Sequence, residues 1–329
     1  MLRKVCVLSS LFFAFVLCVF GQDSRHFTFH YAFTVRNIPE GEKVRIWIPA
    51  AESDDYQEVR ILSANGDLPL KKTRDPKYGN QIYFAEARNA GKSEFHFDVE
   101  YDVVRHERRA LGEDSGKVVA ASLNKGQRQR DLQPDVLVPV TGLPADLAAK
   151  VTQGKTQPLD KARAIYDYVF TTMRYDKTGT GWGHGDVLYA CDAKKGNCTD
   201  FHSLFIAMAR SQGIPARFEI GFPLPPDKHT SQIAGYHCWS DFWIDGKGWI
   251  PVDISEAWKH PEKRDYFFGS HDVNRVQFSM GRDLQLKPAQ EGKALNYFVY
   301  PYVEVDGKEF SNVAMEFSFA DAGPTVAAK

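Results

Sequence analysis

Cys198, His237 and Asp253 are residue types that together can run acyl transfer, if the chain brings them to one place. A thiolate attacks a carbonyl carbon, an imidazole moves the proton, and a carboxylate fixes the imidazole's tautomer and orientation. Cys198 lies in GNCTDFHSLFIAMARSQGIPARFEIGF, residues 196–222. There Asn197 is a good helix N-cap, and Asp200 three residues on completes a capping arrangement. Phe201, Leu204, Phe205, Met208 and Ala209 form an apolar stripe that Ile206 and Ala207 carry nearly round the cylinder, which predicts a buried helix. Gly213 and then Pro215 end it. Cys198 therefore falls in the first turn, where unpaired N–H groups and the helix dipole favour a thiolate. The alternative is a plain buried structural cysteine.

His237 and Asp253 lie in GYHCWSDFWIDGKGWIPVDIS, residues 235–255. Residues 236–244 can form a strand, Asp245-Gly246 signals a hairpin, and Trp249 to Val252 is the return strand. The return brings His237 and Asp253 opposite each other within one to three residues, with the register left open. Trp239, Trp243 and Trp249 read as sheet packing. A zinc site competes for Cys191, Cys198, His237 and Cys238. Adjacent His237 and Cys238, however, should point to opposite faces of an extended strand. A Cys191–Cys238 disulfide is a further alternative that leaves Cys198 unpaired. No motif asks for a cofactor or a metal.

The elements that must position these residues surround them. Ala162, Ile165, Tyr166, Val169 and Met173 recur at helical spacing after Pro158, predicting an amphipathic helix that ends near Tyr175. The glycine-rich run Thr178 to Asp186 is no phosphate loop, because no Gly-Lys-Ser/Thr closes it and no strand precedes it. Its glycines permit tight turns against some neighbour. Upstream, Phe27 to Val35, Val44 to Ile48 and Phe95 to Val103 alternate with period 2, as half-buried strands do. Turn residues such as Asn65-Gly66-Asp67 and Asp75-Pro76 separate them, so the front reads as a small antiparallel sandwich without chemistry. His26, His30 and His96 fall on its polar faces. Residues 105–130 are charged and poor in large apolar side chains, and read as a solvated linker. His271, Asp272 and Arg275 read as loop anchors. Tyr297–Phe310 with the alternation after it reads as a terminal hairpin.

Lys and Arg total 41 against 42 Asp and Glu, so no basic excess argues for nucleic acid. The chain opens with Arg3 and Lys4, an apolar run from Val5 to Phe20 and small Gly21, the pattern of a secretory signal cleaved before Gln22. An uncleaved anchor is the alternative, although the run is short for a span of about 20 residues. Cleavage leaves no stable membrane span and predicts export, to the periplasm or beyond. It also leaves three cysteines, too few for a disulfide scaffold, so at least one thiol outside the cytoplasm stays unpaired.

The segments 196–222 and 235–255 resemble the core of the transglutaminase-like superfamily, in its bacterial exported branch, over roughly residues 135–285. The resemblance rests on Cys at a helix start, Gly-Ile-Pro-Ala-Arg leading into a strand, His-Cys-Trp, and Trp-x-x-x-Asp. It implies an α+β, papain-like thiol-enzyme fold in which the cysteine helix packs on an antiparallel sheet. It also implies Cys198 as nucleophile, His237 as base and Asp253 as orienting carboxylate. Thr199 stands where animal transglutaminases commonly carry Trp, and no acidic loop suggests their calcium sites. The expectation is therefore an exported enzyme that hydrolyses amide bonds of peptides or proteins, such as cell-envelope peptides. A transamidase and a non-catalytic binding module are the alternatives. The Cys198 N–H and one of Tyr175 or Trp182 are the candidate oxyanion donors. The expected division is a signal at 1–21, an all-β sandwich-like domain at 22–120, and a transglutaminase-like domain with a C-terminal hairpin at 121–329.

Overall fold

The computed structural model describes residues 23–112 and 122–323, so the signal segment lies outside the described residues. Six strands come first: β1 (Ser24–Arg36), β2 (Lys43–Pro49), β3 (Gln57–Gly66), β4 (Lys71–Arg74), β5 (Gln81–Arg88) and β6 (Glu94–His106). A two-residue β7 (Arg108–Arg109) and the helices α1 (Lys125–Arg130), α2 (Leu143–Val151) and α3 (Pro158–Thr172) follow. Then come β8 (Arg174–Tyr175), α4 (Val187–Ala193), β9 (Lys195–Gly196) and α5 (Cys198–Ser211). The remainder is β10 (Ala216–Pro223), β11 (Thr230–Gln232), β12 (His237–Ile244), β13 (Gly248–Val252), α6 (Ile254–Lys259), β14 (Ser270–His271), β15 (Arg275–Met280), β16 (Tyr302–Val305), β17 (Lys308–Glu309) and β18 (Val313–Asp321). No described helix is long and apolar enough to cross a membrane.

The period-2 runs form the strands they predict. Two five-stranded sheets result, in the orders β11-β18-β1-β6-β3 and β17-β16-β2-β5-β4. Phe29, Tyr31 and Phe33 of one and Val44, Ile46 and Ile48 of the other share one core. The polar face of the first sheet is stitched by cross-strand pairs, including His26 with Asp102 (2.7 Å) and His30 with Asp98. The tail does not stay with the back half as the sequence suggests. β16 pairs with β2 and β18 pairs with β1, so the last strands complete the front sandwich. β16 and β17 do form the hairpin that the sequence suggests, Val305 opposite Lys308, while β16 and β18 extend the two sheets beyond β2 and β1.

The back half is α+β. Its sheet runs β13-β12-β10-β15, antiparallel throughout, with α5 against β12 and β10. Every residue of α5 from Cys198 to Arg210 is buried, as its all-round apolarity requires. α3 stops at Thr172 rather than near Tyr175, because Met173 is extended and the chain turns into β8. The core is continuous with that of the sandwich. Phe222 of β10 and Phe278 of β15 pack on Phe29 at 5.2 and 5.5 Å between ring centroids.

The charged stretch read as a solvated linker is in part the opposite. Arg105 and Arg108 are 2% and 4% exposed. Arg108 donates to both oxygens of Asp241 (3.0 Å each) and to the Trp249 carbonyl (2.7 Å). An arginine beside an aspartate on another strand is invisible to a local composition count.

Candidate active site

Asn197 starts α5. Its side chain accepts from Thr199 N (2.9 Å), while Asp200 accepts from Asn197 N (2.9 Å), a complete capping box. Asp200 also accepts from Gly183 N (2.7 Å) and Gly185 N (3.0 Å). The glycine-rich loop is thereby folded onto the helix start. Gly185 has φ +62°, and a Cβ there would collide with Ser203 Oγ. Cys198 is the first residue of the helix, where its N–H has no intrahelical acceptor, and its side chain is 2% exposed.

His237 opens β12. Asp253 follows β13 and caps α6, its Oδ1 accepting from Glu256 N (3.0 Å). Ser240 pairs with Val252, so Asp253 leaves the sheet two positions out of register with His237, within the offset the hairpin predicts. Its Oδ2 receives His237 Nε2 at 2.7 Å. The other imidazole nitrogen is left for the Cys198 thiol, which lies close enough to raise the pKa of His237. The structure therefore brings Cys198, His237 and Asp253 together.

Three further groups complete this arrangement. Arg275 of β15 donates to Asp253 Oδ2 (2.9 Å), and its guanidinium lies 4.9 Å above the Trp239 ring. It also anchors its own loop through Asp272 Oδ1 (3.3 Å), as the sequence suggests, so it does both. His202, one turn after Cys198, is buried between Nδ1 against the Cys198 carbonyl (2.8 Å) and Nε2 accepting from Ile254 N (3.0 Å). Those partners require the neutral Nδ1–H tautomer. The i, i+4 spacing from Cys198 was the signal for His202, whereas nothing near Arg275 in sequence points to Asp253. Tyr236, just before His237, accepts from Asn197 Nδ2 (3.0 Å) and pairs with Thr199 Oγ1 (2.8 Å).

Electrostatics follow from these contacts. Burial opposes ionisation of Cys198, but hydrogen bonds from Cys238 and His237 and the His237 charge outweigh it and hold the thiol well below its ordinary value. Burial likewise disfavours imidazolium at His237, yet Asp253 and Cys198 raise its pKa to about 10. Asp253 would be pushed up by burial; His237 and Arg275 keep it well below the usual carboxylate range. These shifts all favour a thiolate beside an imidazolium and a carboxylate. Burial pushes Cys191 up to about 11, and burial with the neighbouring Cys198 thiolate pushes Cys238 well up.

The remaining sequence expectations fare differently. Cys238 sits against Cys198 rather than Cys191, and among the described residues Cys191, Cys198 and Cys238 are all free thiols. Its sulfur faces Thr199 Oγ1 at 3.7 Å on the α5 side of β12. Among the described residues no cluster of three or more metal-ligating side chains occurs. β8 pairs in parallel with β9, which sets Tyr175 opposite Gly196, two residues before Cys198. Tyr175 is therefore at the site, with its hydroxyl kept neutral by burial and by the Cys198 charge. Trp182 is not placed to help, because its indole N–H is spent on the Gly179 carbonyl (3.1 Å) within its own loop. A cleft of about 590 Å³ opens in front of His237, between Tyr175, Tyr236 and the 223–226 segment.

This fold and this placement of cysteine, histidine and aspartate define a class of protein. Residues 145–254 match the family model of the transglutaminase-like superfamily, a span that contains all three residues and ends before Arg275. A transglutaminase-like core thus occupies residues 145–254, about a third of the chain. It is 28% identical over 315 residues to an uncharacterized protein of Haemophilus influenzae strain Rd, covering 82% of this chain and 83% of that one. It is 26% identical over 129 residues to the uncharacterized protein YebA of Bacillus subtilis, covering 35% of this chain and 18% of that one. The crystal structure of a candidate cysteine protease from Cytophaga hutchinsonii shares the fold over 94% of each chain, with a TM-score of 0.61 and 18% identity.

Proposed function

We propose that this protein is an exported thiol hydrolase that cleaves amide bonds in peptides. The reading rests on one observation: His237 neighbours the helix-start thiol of Cys198, and its Nε2 lies 2.7 Å from Asp253 Oδ2. In the proposed reaction the Cys198 thiolate adds to the amide carbonyl, and the Cys198 N–H stabilises the oxyanion with Tyr175 as second donor. The His237 imidazolium gives its proton to the departing amine as the C–N bond breaks, which leaves a thioester. His237, now neutral, takes a proton from water as it attacks, and the thioester resolves to a free acid and the thiolate. Asp253 holds the imidazole and its charge throughout, and Arg275 holds Asp253. The basic and apolar N-terminus supports export.

Water is the proposed acceptor because it is abundant where an exported enzyme works. The test is to offer a library of peptide amides with a millimolar primary amine such as fluorescent cadaverine, and to weigh the products by mass spectrometry. Free acid should predominate and should vanish in Cys198→Ala. An amine adduct in excess would make the protein a transamidase. No product from any amide, with Cys198 unreactive, would leave a binding module.

A further inference from the structure

The cleft in front of His237 holds more cations than it neutralises. Of its carboxylates, Glu256 is bound to Lys259 Nζ (2.6 Å) and Asp272 to Arg275 (3.3 Å). Lys177, Lys228 and Lys263 line the same cleft with no carboxylate partner among the described residues. Lys177 and Lys259 instead lie over the Tyr175 ring, at 5.6 and 4.4 Å, so the candidate oxyanion donor is bracketed by ammonium groups. One such lysine on an open surface is simply solvated. Several converging in a cleft with an apolar wall, here Pro223, Leu224, Ile233 and Phe267, focus their field on whatever enters.

We propose that the acyl donor is anionic, a peptide with free carboxylates beside the scissile amide, drawn in by Lys177, Lys228 and Lys263. The inference rests on the thiol-hydrolase reading and assigns its substrate class. The adjoining depression, which shares Lys263 and Asp272 with the cleft, reverses sign through Asp23, Glu107 and Glu262. The cationic field is therefore confined to the side of His237 that Tyr175 and the 223–228 segment enclose. A carboxylate there neutralises the cleft, whereas a basic peptide meets three unpaired ammonium groups.

The experiment compares two small probes of Cys198, anionic iodoacetate and neutral iodoacetamide, by mass-spectrometric rates at low and high salt. The readout is the ratio of the two rate constants. In the triple variant Lys177→Gln, Lys228→Gln, Lys263→Gln that ratio should fall roughly tenfold at low salt, the lower end of what a focused field supplies. High salt should compress the wild-type ratio in the same direction. A control with Lys71, Lys150 and Lys247, exposed outside the cleft, changed to Gln carries the same net charge and should keep the wild-type ratio. A matched pair of peptide amides, Glu against Gln beside the scissile bond, should then show a lower KM for Glu that the cleft variant loses. If the cleft variant and the control behave alike, or salt leaves the ratio unmoved, the anionic-substrate proposal is overturned while the thiolate stands. If neither probe labels Cys198 in the folded wild type, the thiol reading itself fails, and the substrate inference with it.

Discussion

Replacing Asp253 by Asn tests the arrangement at its middle member. The carboxylate accepts four hydrogen bonds: His237 Nε2 (2.7 Å) and Arg275 Nη1 (2.9 Å) on Oδ2, Glu256 N (3.0 Å) and Ser255 Oγ (3.2 Å) on Oδ1. Asparagine keeps the shape and one acceptor but loses the charge. A hydrogen bond to a charged group contributes about 1.5–3 kcal/mol. At about 1.4 kcal/mol per pH unit, its loss shifts the His237 imidazolium down by roughly one to two units from about 10. The thiolate loses the same support from its cationic partner, so the pH profile of Cys198 alkylation moves up by a similar amount. Alkylation by iodoacetamide should slow at pH values between the wild-type and variant midpoints of that profile. Turnover of any cleaved amide should fall about 10²- to 10⁴-fold, because the imidazole also loses its fixed orientation.

The variant also carries a stability signature with a definite sign. Asp253 has a depressed pKa, so its contribution is present above the ordinary carboxylate range and is lost as pH falls through its lowered native value. His237 has a raised pKa, so its contribution is full below its unfolded value near 6.5 and is lost as pH rises through about 10. Removing one partner of a buried pair costs about 3–5 kcal/mol, and Arg275 keeps only Asp272 at 3.3 Å. Urea melts of Asp253→Asn should thus fall short of wild type most between about pH 4 and 6.5, where both contributions are full, and converge toward both extremes. An unmoved alkylation profile together with near-wild-type turnover would remove Asp253 from the mechanism. A loss of stability with the profile unmoved in the folded fraction would mark it as a structural cap of α6.

In the native protein iodoacetamide near pH 6 should label Cys198 well before Cys191 or Cys238, whose pKa values are raised; peptide mapping reads the order, and equal rates would refute the ion pair. Arg275→Gln should lower kcat more than it raises KM, since the residue donates to Asp253, which holds His237; a pure KM effect would show instead that it acts as part of the cleft wall. Gly185→Ala should destabilise by about 1–3 kcal/mol, from a left-handed φ and a collision with Ser203 and Arg282; a melting curve unchanged from wild type would show that the loop can leave Asp200 at no cost.

What could be read from sequence is what is local. Asn197 and Asp200 announce the start of α5, and Asp245-Gly246 announces the hairpin, so Cys198, His237 and Asp253 converge by counting residues along two segments. The period-2 strands of the front half needed no partner to be seen. Partnership across the chain was not legible. Arg108 in a charged run and Asp241 in a hydrophobic strand lie 133 residues apart, and each looks ordinary in its own window. Arg275 is one basic residue before an apolar strand, and only the fold aims it at Asp253. Trp182 has the right donor and the right neighbourhood, but a three-residue turn in its own loop takes its N–H. The tail alternates as a strand should, without saying which sheet it joins.

The sandwich has a part in the chemistry because β15 is an edge strand. Its outer edge offers unpaired backbone groups that a strand cannot leave bare when buried. Two side-chain amides of the front half close it. Gln57 accepts from Gln277 N (2.9 Å) and donates to Gln277 O (3.1 Å), and Asn80 does the same to Met280 N and O (2.8 Å each). Each amide presents the donor and acceptor of a neighbouring strand, and both are buried. β15 in turn carries Arg275, which holds Asp253, which holds His237. The front half thereby sets the position of the base at three removes, through hydrogen bonds alone. The two halves are therefore expected to unfold together. A fragment lacking the front sandwich would leave the β15 edge open and Arg275 unanchored, even with Cys198, His237 and Asp253 all present.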